Sequence, residues 1–196
     1  MAARIGKVAA DTSAFFLCDV QDKFRPLIRY FPEICTVANR LSAASKALDI
    51  PLVVSEHYPK ALGNTVPEID TGHGTVFPKT SFSMAVKDLK DHVKTVRPNL
   101  KSVILYGIEA QMCVQQTALD FLEEDYDVHV IADATSSRTM TERLMALERM
   151  KQSGAFITTS ESILFMLLKD AKHERFREIQ KIIMESAPYQ GLVPNE

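Results

Sequence analysis

Cysteine is scarce in this chain, with three in 196 residues: Cys18, Cys35 and Cys113. Three thiols cannot all pair within one chain, so the count points away from a disulfide framework and leaves at least one thiol free. A reducing compartment, the cytoplasm, is the expected location. Long apolar runs are also missing. No stretch approaches the roughly 18 residues a membrane helix needs, so no membrane role is expected. Excess charge is missing too: 23 Lys and Arg stand against 25 Asp and Glu, for a net −2. That balance excludes a surface built mainly to hold nucleic acid or anionic lipid, so no nucleic-acid partner is expected. The segment Met1 to Asp11 has Arg4 and Lys7 but no apolar core, which is unlike a secretory signal. Being basic and acid-free before Asp11, it leaves the mitochondrion as a second possible destination.

With 46% hydrophobic and 24% charged residues, the composition is that of a folded globular chain, not a disordered one. No repeat, linker or low-complexity stretch interrupts it. One domain over 1–196 is expected, with its core over about 14–185 and a loose tail from Gly191. Short apolar runs alternate with amphipathic segments. Ala14 to Cys18, Pro51 to Ser55, Thr75 to Phe77, Ser102 to Gly107, Val128 to Ile131 and Ala155 to Thr158 read as strands. Between them Ile34, Val37, Ala38, Leu41, Ala44 and Leu48 keep helical spacing, as do Ile163, Leu164, Leu167 and Leu168. Thr139 and Glu142 have capping-box spacing, and Ser83 is a second candidate cap. Glu56 to Thr75, with three glycines and two prolines, reads as a long functional loop. Alternating strands and helices predict an α/β fold: a Rossmann-like three-layer α/β/α sandwich with a central, mostly parallel sheet of about six strands.

In such sheets ligands bind beyond the carboxyl ends of the strands. The polar residues there are Asp19 and Gln21 after the first strand, and Glu56, His57 and Tyr58 after the second. Lys79 follows the third, Glu109 to Cys113 the fourth, and Asp133 to Arg138 the fifth. Each has an ordinary reading alone: a buried cysteine packs, a strand-end aspartate caps, a lysine faces solvent. Cys113 stands out by position. A helix starting near Ala110 or Gln111 puts its thiol in the first turn, where unpaired N–H groups favour a thiolate. A lysine nearby would add to that, a carboxylate could carry the proton, and first-turn amides could hold an oxyanion.

At these positions the chain resembles a known family. Phe16-Leu17-Cys18-Asp19-Val20-Gln21-Asp22-Lys23-Phe24, Phe77-Pro78-Lys79-Thr80-Ser81-Phe82-Ser83 and Gly107-Ile108-Glu109-Ala110-Gln111-Met112-Cys113-Val114 resemble, in order, three motifs of the isochorismatase-like cysteine hydrolases, the superfamily that includes nicotinamidases. The resemblance spans about Ala14 to Leu168 and is greatest to the eukaryotic isochorismatase domain-containing subgroup. It implies a triad of Asp19, Lys79 and Cys113 that opens a small amide or related carbonyl compound through a thioester. It also implies a cis peptide at Ile108–Glu109 beside the oxyanion, and a pocket mouth at Gln21 and Phe24. His57 and Tyr58, after the second strand, are expected to join that pocket. His57 and His73 do not match the spacing by which metal-containing relatives hold their ion, so no metal and no cofactor are expected. The expected partners are a small-molecule substrate and further copies of the chain, as a dimer or tetramer. Two other readings remain: a fold retained for binding without catalysis, and a mitochondrion-associated ribonuclease.

Overall fold

A computed structural model describes residues 4–193. Six strands form one sheet: β1 (Ser13–Cys18), β2 (Leu52–His57), β3 (Thr75–Lys79), β4 (Ser102–Ile108), β5 (Asp127–Ser136) and β6 (Phe156–Thr158). Their order is β3-β2-β1-β4-β5-β6, and every pair is parallel. The chain starts in the middle, works outward to β3, then returns to the other side of β1. The order therefore reverses between β1 and β4, which opens a crevice at the carboxyl ends of those two strands.

Burial on both faces explains why β1 is apolar at nearly every position. Phe15 and Leu17 enter one core with α1 (Phe31–Ala47), α6 (Ser160–Leu168) and α7 (Phe176–Ile183). Ala14, Phe16 and Cys18 enter the other with α3 (Lys87–Val96), α4 (Gln115–Glu123) and α5 (Met140–Gln152). Phe16 meets Phe121 of α4 edge to face at 5.2 Å. These are the three expected layers. Pro32 sits in the first turn of α1, where its missing N–H has no partner to lose. Thr139 caps α5 as its spacing predicts, accepting from the Glu142 N–H at 3.1 Å.

Four local expectations change. Ser83 does not cap α3; Val86 precedes that helix, and the Ser83 hydroxyl accepts from Ala85 N–H at 3.0 Å in a local turn. The long loop after β2 is not structureless. It contains the short α2 (Pro59–Leu62), and Glu56 Oε1 ties it down through the Thr65 N–H at 2.7 Å and hydroxyl at 3.0 Å. Strand β5 runs on to Ser136, so Asp133 lies inside it, and its carboxylate binds the Ser160 N–H and hydroxyl at the start of α6. The tail is held as far as it is described. Fully buried Arg143 donates to Gln190 O at 2.6 Å, and Gly191 lies so close to Tyr30 that a Cβ there would meet its hydroxyl at 2.6 Å. Residues 194–196 of the expected loose tail lie outside the described residues.

Candidate active site

The last residue of β1, Cys18, pairs with Ser55 of β2 and with Gly107 of β4. The chain then turns sharply through Asp19, whose φ of 54° lies in the left-handed region. That turn holds the Asp19 carboxylate at the sheet edge, where its two oxygens find different partners. Oδ1 accepts from the Ser55 hydroxyl at 2.6 Å, and Oδ2 accepts from Lys79 Nζ at 2.6 Å. Lys79 is the last residue of β3, two strands away, with β2 lying between β3 and β1. Its ammonium also donates to the carbonyls of Ser81 and Phe82, at 3.1 and 2.9 Å. The lysine and aspartate side chains are 0% and 1% exposed, so the pair is sealed from water. Burial alone would pull the Lys79 ammonium down in pKa. Its Cys18, Asp19 and Cys113 neighbours, together with the hydrogen bond to Asp19, outweigh that and raise it.

Cys113 arrives from the opposite side of the crevice. After β4 the chain reverses at Glu109, with φ 56° and ψ 59°, and enters a π-helical turn, Ala110–Val114, that continues directly into α4. Cys113 is in the first turn, as its position predicts, and is 1% exposed. Its carbonyl accepts from the Thr117 hydroxyl at 2.6 Å, and the same hydroxyl accepts from the Met84 N–H at 2.9 Å. That chain of bonds ties the turn carrying Cys113 to the loop after Lys79. The structure therefore gathers Asp19, Lys79 and Cys113 in one buried cluster.

The expected cis peptide at Ile108–Glu109 is not found; among the described residues every peptide bond is trans. The left-handed conformation of Glu109 makes the reversal instead. The Glu109 side chain is buried and bonded on both oxygens, to Arg138 Nε at 2.6 Å and Gln111 Nε2 at 2.7 Å. Gln111 in turn accepts from the Ser137 hydroxyl at 2.7 Å, which locks the turn to the end of β5.

The expected pocket residues divide. Gln21 is fully buried, and its amide is spent on backbone: it accepts from His57 N–H and donates to the carbonyls of His57 and Gly63. It braces the loop and has no amide group left over. Phe24 packs into the α1-side core beside Val20, Ile28 and Val66. His57 is stacked on Phe82 at 5.6 Å, over the loop whose carbonyls hold Lys79. Tyr58, half exposed, lines a cleft of about 590 Å³ with Phe77, Lys79, Ser81 and Val86. His73 bonds to Ser45 on α1. Among the described residues no group of three or more His, Cys, Asp or Glu is arranged to hold a metal ion. No described helix is long and apolar enough to cross a membrane.

Two neighbours of the Asp19–Lys79 pair were not among the expected site residues. Ser55 is a lone polar residue ending the apolar run of β2, and that break in the pattern is the signal that could have found it. Cys18, inside β1 beside Asp19, packs in the same core cluster as Cys113. Burial, first of all, pushes the Cys18 thiol well up in pKa.

With this geometry in view, comparisons with known proteins become informative. The model of the isochorismatase domain matches residues 13–162. The chain belongs to the isochorismatase family. A relative from Xenopus laevis, isochorismatase domain-containing protein 2, is 52% identical, and the match covers 97% of this chain and 92% of that one. A solved structure described as the MAR1 ribonuclease of Caenorhabditis elegans superposes with a TM-score of 0.92 at 45% identity, covering 97% of this chain and 98% of that one. The Escherichia coli YcaC product, described as an octameric hydrolase of unknown specificity, shares the fold alone. It has a TM-score of 0.83 at 21% identity, covering 93% and 92% of the two chains. The isochorismatase-like hydrolases are thus the setting in which the cluster of acid, lysine and thiol must be read.

Proposed function

We propose that this chain is a metal-independent cysteine hydrolase of small amides or related acyl compounds, with Asp19, Lys79 and Cys113 as its catalytic residues. The observation that carries the reading is the sealed Asp19–Lys79 pair at 2.6 Å, sharing one buried cluster with a thiol in the first turn of a helix. A carboxylate fixed beside the thiol in a site sealed from water is positioned to act as a base. Asp19 takes the Cys113 proton. The sulfur then attacks the substrate carbonyl, and the first-turn amides at Ala110 and Gln111 hold the oxyanion. The tetrahedral adduct collapses to a thioester as Asp19 returns the proton to the departing amine. Asp19 next deprotonates a water, which releases the acid and restores the thiol. Lys79 holds Asp19 in position through their hydrogen bond and balances its charge whenever the carboxyl is deprotonated. The oxyanion role expected of a cis Ile108–Glu109 bond falls instead to the first amides of the π-helical turn that follows Glu109. Of the expected pocket residues, Tyr58 lines the cleft beside Lys79 and His57 stacks on Phe82, while Gln21 braces the loop after β2 and Phe24 packs in the core.

The test is a panel of small amides and imides, offered to wild type and to Cys113→Ala, with mass spectrometry for an acyl group on Cys113. Loss of the nucleophile should lower kcat by roughly three orders of magnitude or more. Turnover that is unchanged in Cys113→Ala would sink the reading. A ribonuclease reading takes its support from the name of the C. elegans relative; the net charge of −2 counts against it. RNA cleavage by wild type that disappears in Cys113→Ala would move the assignment to phosphodiesters. We further propose assembly as a dimer or tetramer through exposed apolar side chains such as Phe165, 43% exposed on α6. Sedimentation at micromolar concentration checks it, and a monomer there refutes it.

A further inference from the structure

We propose that Ser55 is a positioning residue for the reaction: its hydroxyl fixes the rotation of the Asp19 carboxylate, so that a lone pair is held ready for the Cys113 proton. The inference rests on the reading of Asp19 as base and Cys113 as nucleophile, and it adds what sets the direction of the proton transfer. It does not depend on which substrate is hydrolysed.

Ser55 follows Leu52, Val53 and Val54 in β2 and is fully buried. A hydroxyl in such a place costs free energy unless it is bonded. The one bond it makes is to Asp19 Oδ1, at 2.6 Å. The Ser55 carbonyl also accepts from the Asp19 N–H, at 3.2 Å. One residue therefore holds Asp19 at two points, its main chain and its carboxylate. Between those points the backbone has the left-handed φ of 54°. Such a conformation persists where its surroundings over-determine it.

The two donors to the carboxylate do different work. Rotation of an aspartate about Cβ–Cγ meets only a broad, shallow profile. The Lys79 ammonium on Oδ2 is a compact charge with three rotatable donors at the end of a long stem, so it can follow either oxygen through that rotation. It sets distance and balances charge. Ser55 has a single proton on a short side chain. Its root is fixed, because β2 pairs there with Cys18 of β1 on one side and Phe77 of β3 on the other. With Oδ1 tied to that root, the plane of the carboxylate is set. A carboxylate offers about four lone-pair sites, and among the described residues two side-chain donors fill one on each oxygen. Those left keep a constant direction for the thiol. In the transfer the S–H bond of Cys113 breaks, sulfur keeps the electron pair, and an O–H bond forms on Asp19.

The experiment uses the full chain and iodoacetamide as the probe, with peptide mass spectrometry following Cys113 and Cys35 over time. Cys35 lies on α1 in the other core, so its labelling reports loosening of the whole fold. Ser55→Ala should slow Cys113 by about tenfold or more, the scale of a lost hydrogen bond to a charged group, and leave Cys35 unchanged. Ser55→Thr keeps the donor on a residue that suits a strand, and should label close to wild type. Ser55→Cys is near in size but a weak donor. It should fall between the two, and it carries the test if Ser55→Ala does not fold. Loss of a donor by itself leaves a carboxylate the stronger acceptor of protons. Labelling of Cys113 in Ser55→Ala or Ser55→Cys as fast as in wild type, or faster, therefore overturns the inference alone. So does a Cys113 rate that changes only together with that of Cys35, which would make the role structural. Asp19→Asn separates the two claims and should label slowest of all. If it labels like wild type, or if wild-type Cys113 labels no faster than Cys35, the reading of Asp19 and Cys113 falls and the inference with it.

Discussion

Replacing Lys79 by methionine is the sharpest test of the buried ion pair. The substitution keeps the length of the side chain and removes its charge. Asp19 would then keep one partner, the Ser55 hydroxyl, and the carbonyls of Ser81 and Phe82 would lose their donor. Removing one member of a buried pair leaves the other charge uncompensated, at a cost of about 3–5 kcal/mol. The two carbonyls add little to that, since Phe82 is 43% exposed and its loop can turn toward water. In a domain of this size the loss corresponds to a fall in Tm of roughly 6–20 °C. Asp19→Asn combined with Lys79→Met removes both charges and should regain about half of the loss or more, because coupled neighbours do not add. The pH dependence has a definite sign. Lys79 has a folded pKa above its unfolded value, so its stabilisation is complete below the ordinary lysine pKa of about 10.4. It is lost as pH rises through the raised value. Wild type should therefore lose stability in alkali over a window where Lys79→Met does not. Thermal melts followed by circular dichroism give both readouts. A single variant melting within roughly 2 °C of wild type, or a double variant no better than the single, would refute the reasoning.

The other expectations concern the frame around the site. His129, stacked on Phe156 at 5.0 Å with an unpartnered Nε2, is pulled by burial to a pKa of about 4. Between pH 6.5 and 4 the unfolded chain takes a proton that the folded one refuses, so wild type should lose roughly 3 kcal/mol as pH falls. His129→Phe should flatten that slope in urea titrations. Thr139→Ala removes the cap of α5 and should cost about 1 kcal/mol by urea denaturation, with turnover unchanged. Gly107→Ala drives a Cβ into the Cys18 carbonyl and should abolish soluble expression; a well-folded variant would show that β1 and β4 can part there.

Much of the architecture was legible because burial on both faces demands nearly unbroken apolar strands, and β1, β2 and β4 carry them in plain view. The amphipathic period marked α1 and α6, and one polar residue three before a glutamate marked the start of α5. Asp19, Lys79 and Cys113 were legible by another route, as polar residues standing where apolar runs stop. What misled was continuity. Asp133 and Ser136 read as loop residues because their polar side chains break the apolar run, yet β5 continues through them. Each is paid for by a local bond, Asp133 to Ser160 and Ser136 to Arg29 O. Gln21 looked like a pocket residue because it follows Asp19 at the sheet edge. Its amide was claimed by a loop more than 30 residues away, which no local pattern reveals.

The linear chain by itself determined the alternation of elements, hence the layered sheet and the edge at which a site must form. It also singled out Cys113, because a thiol at a helix start is marked by local order alone. The tertiary structure decided which groups meet. Lysine and aspartate sixty residues apart become a sealed pair only because β2 lies between β1 and β3. The end of β4 closes onto Cys18 only because β4 crosses back to pair with β1 through a residue without a side chain. Contact across strands depends on sheet order and register, and those are settled by how whole layers pack, not by any window of sequence.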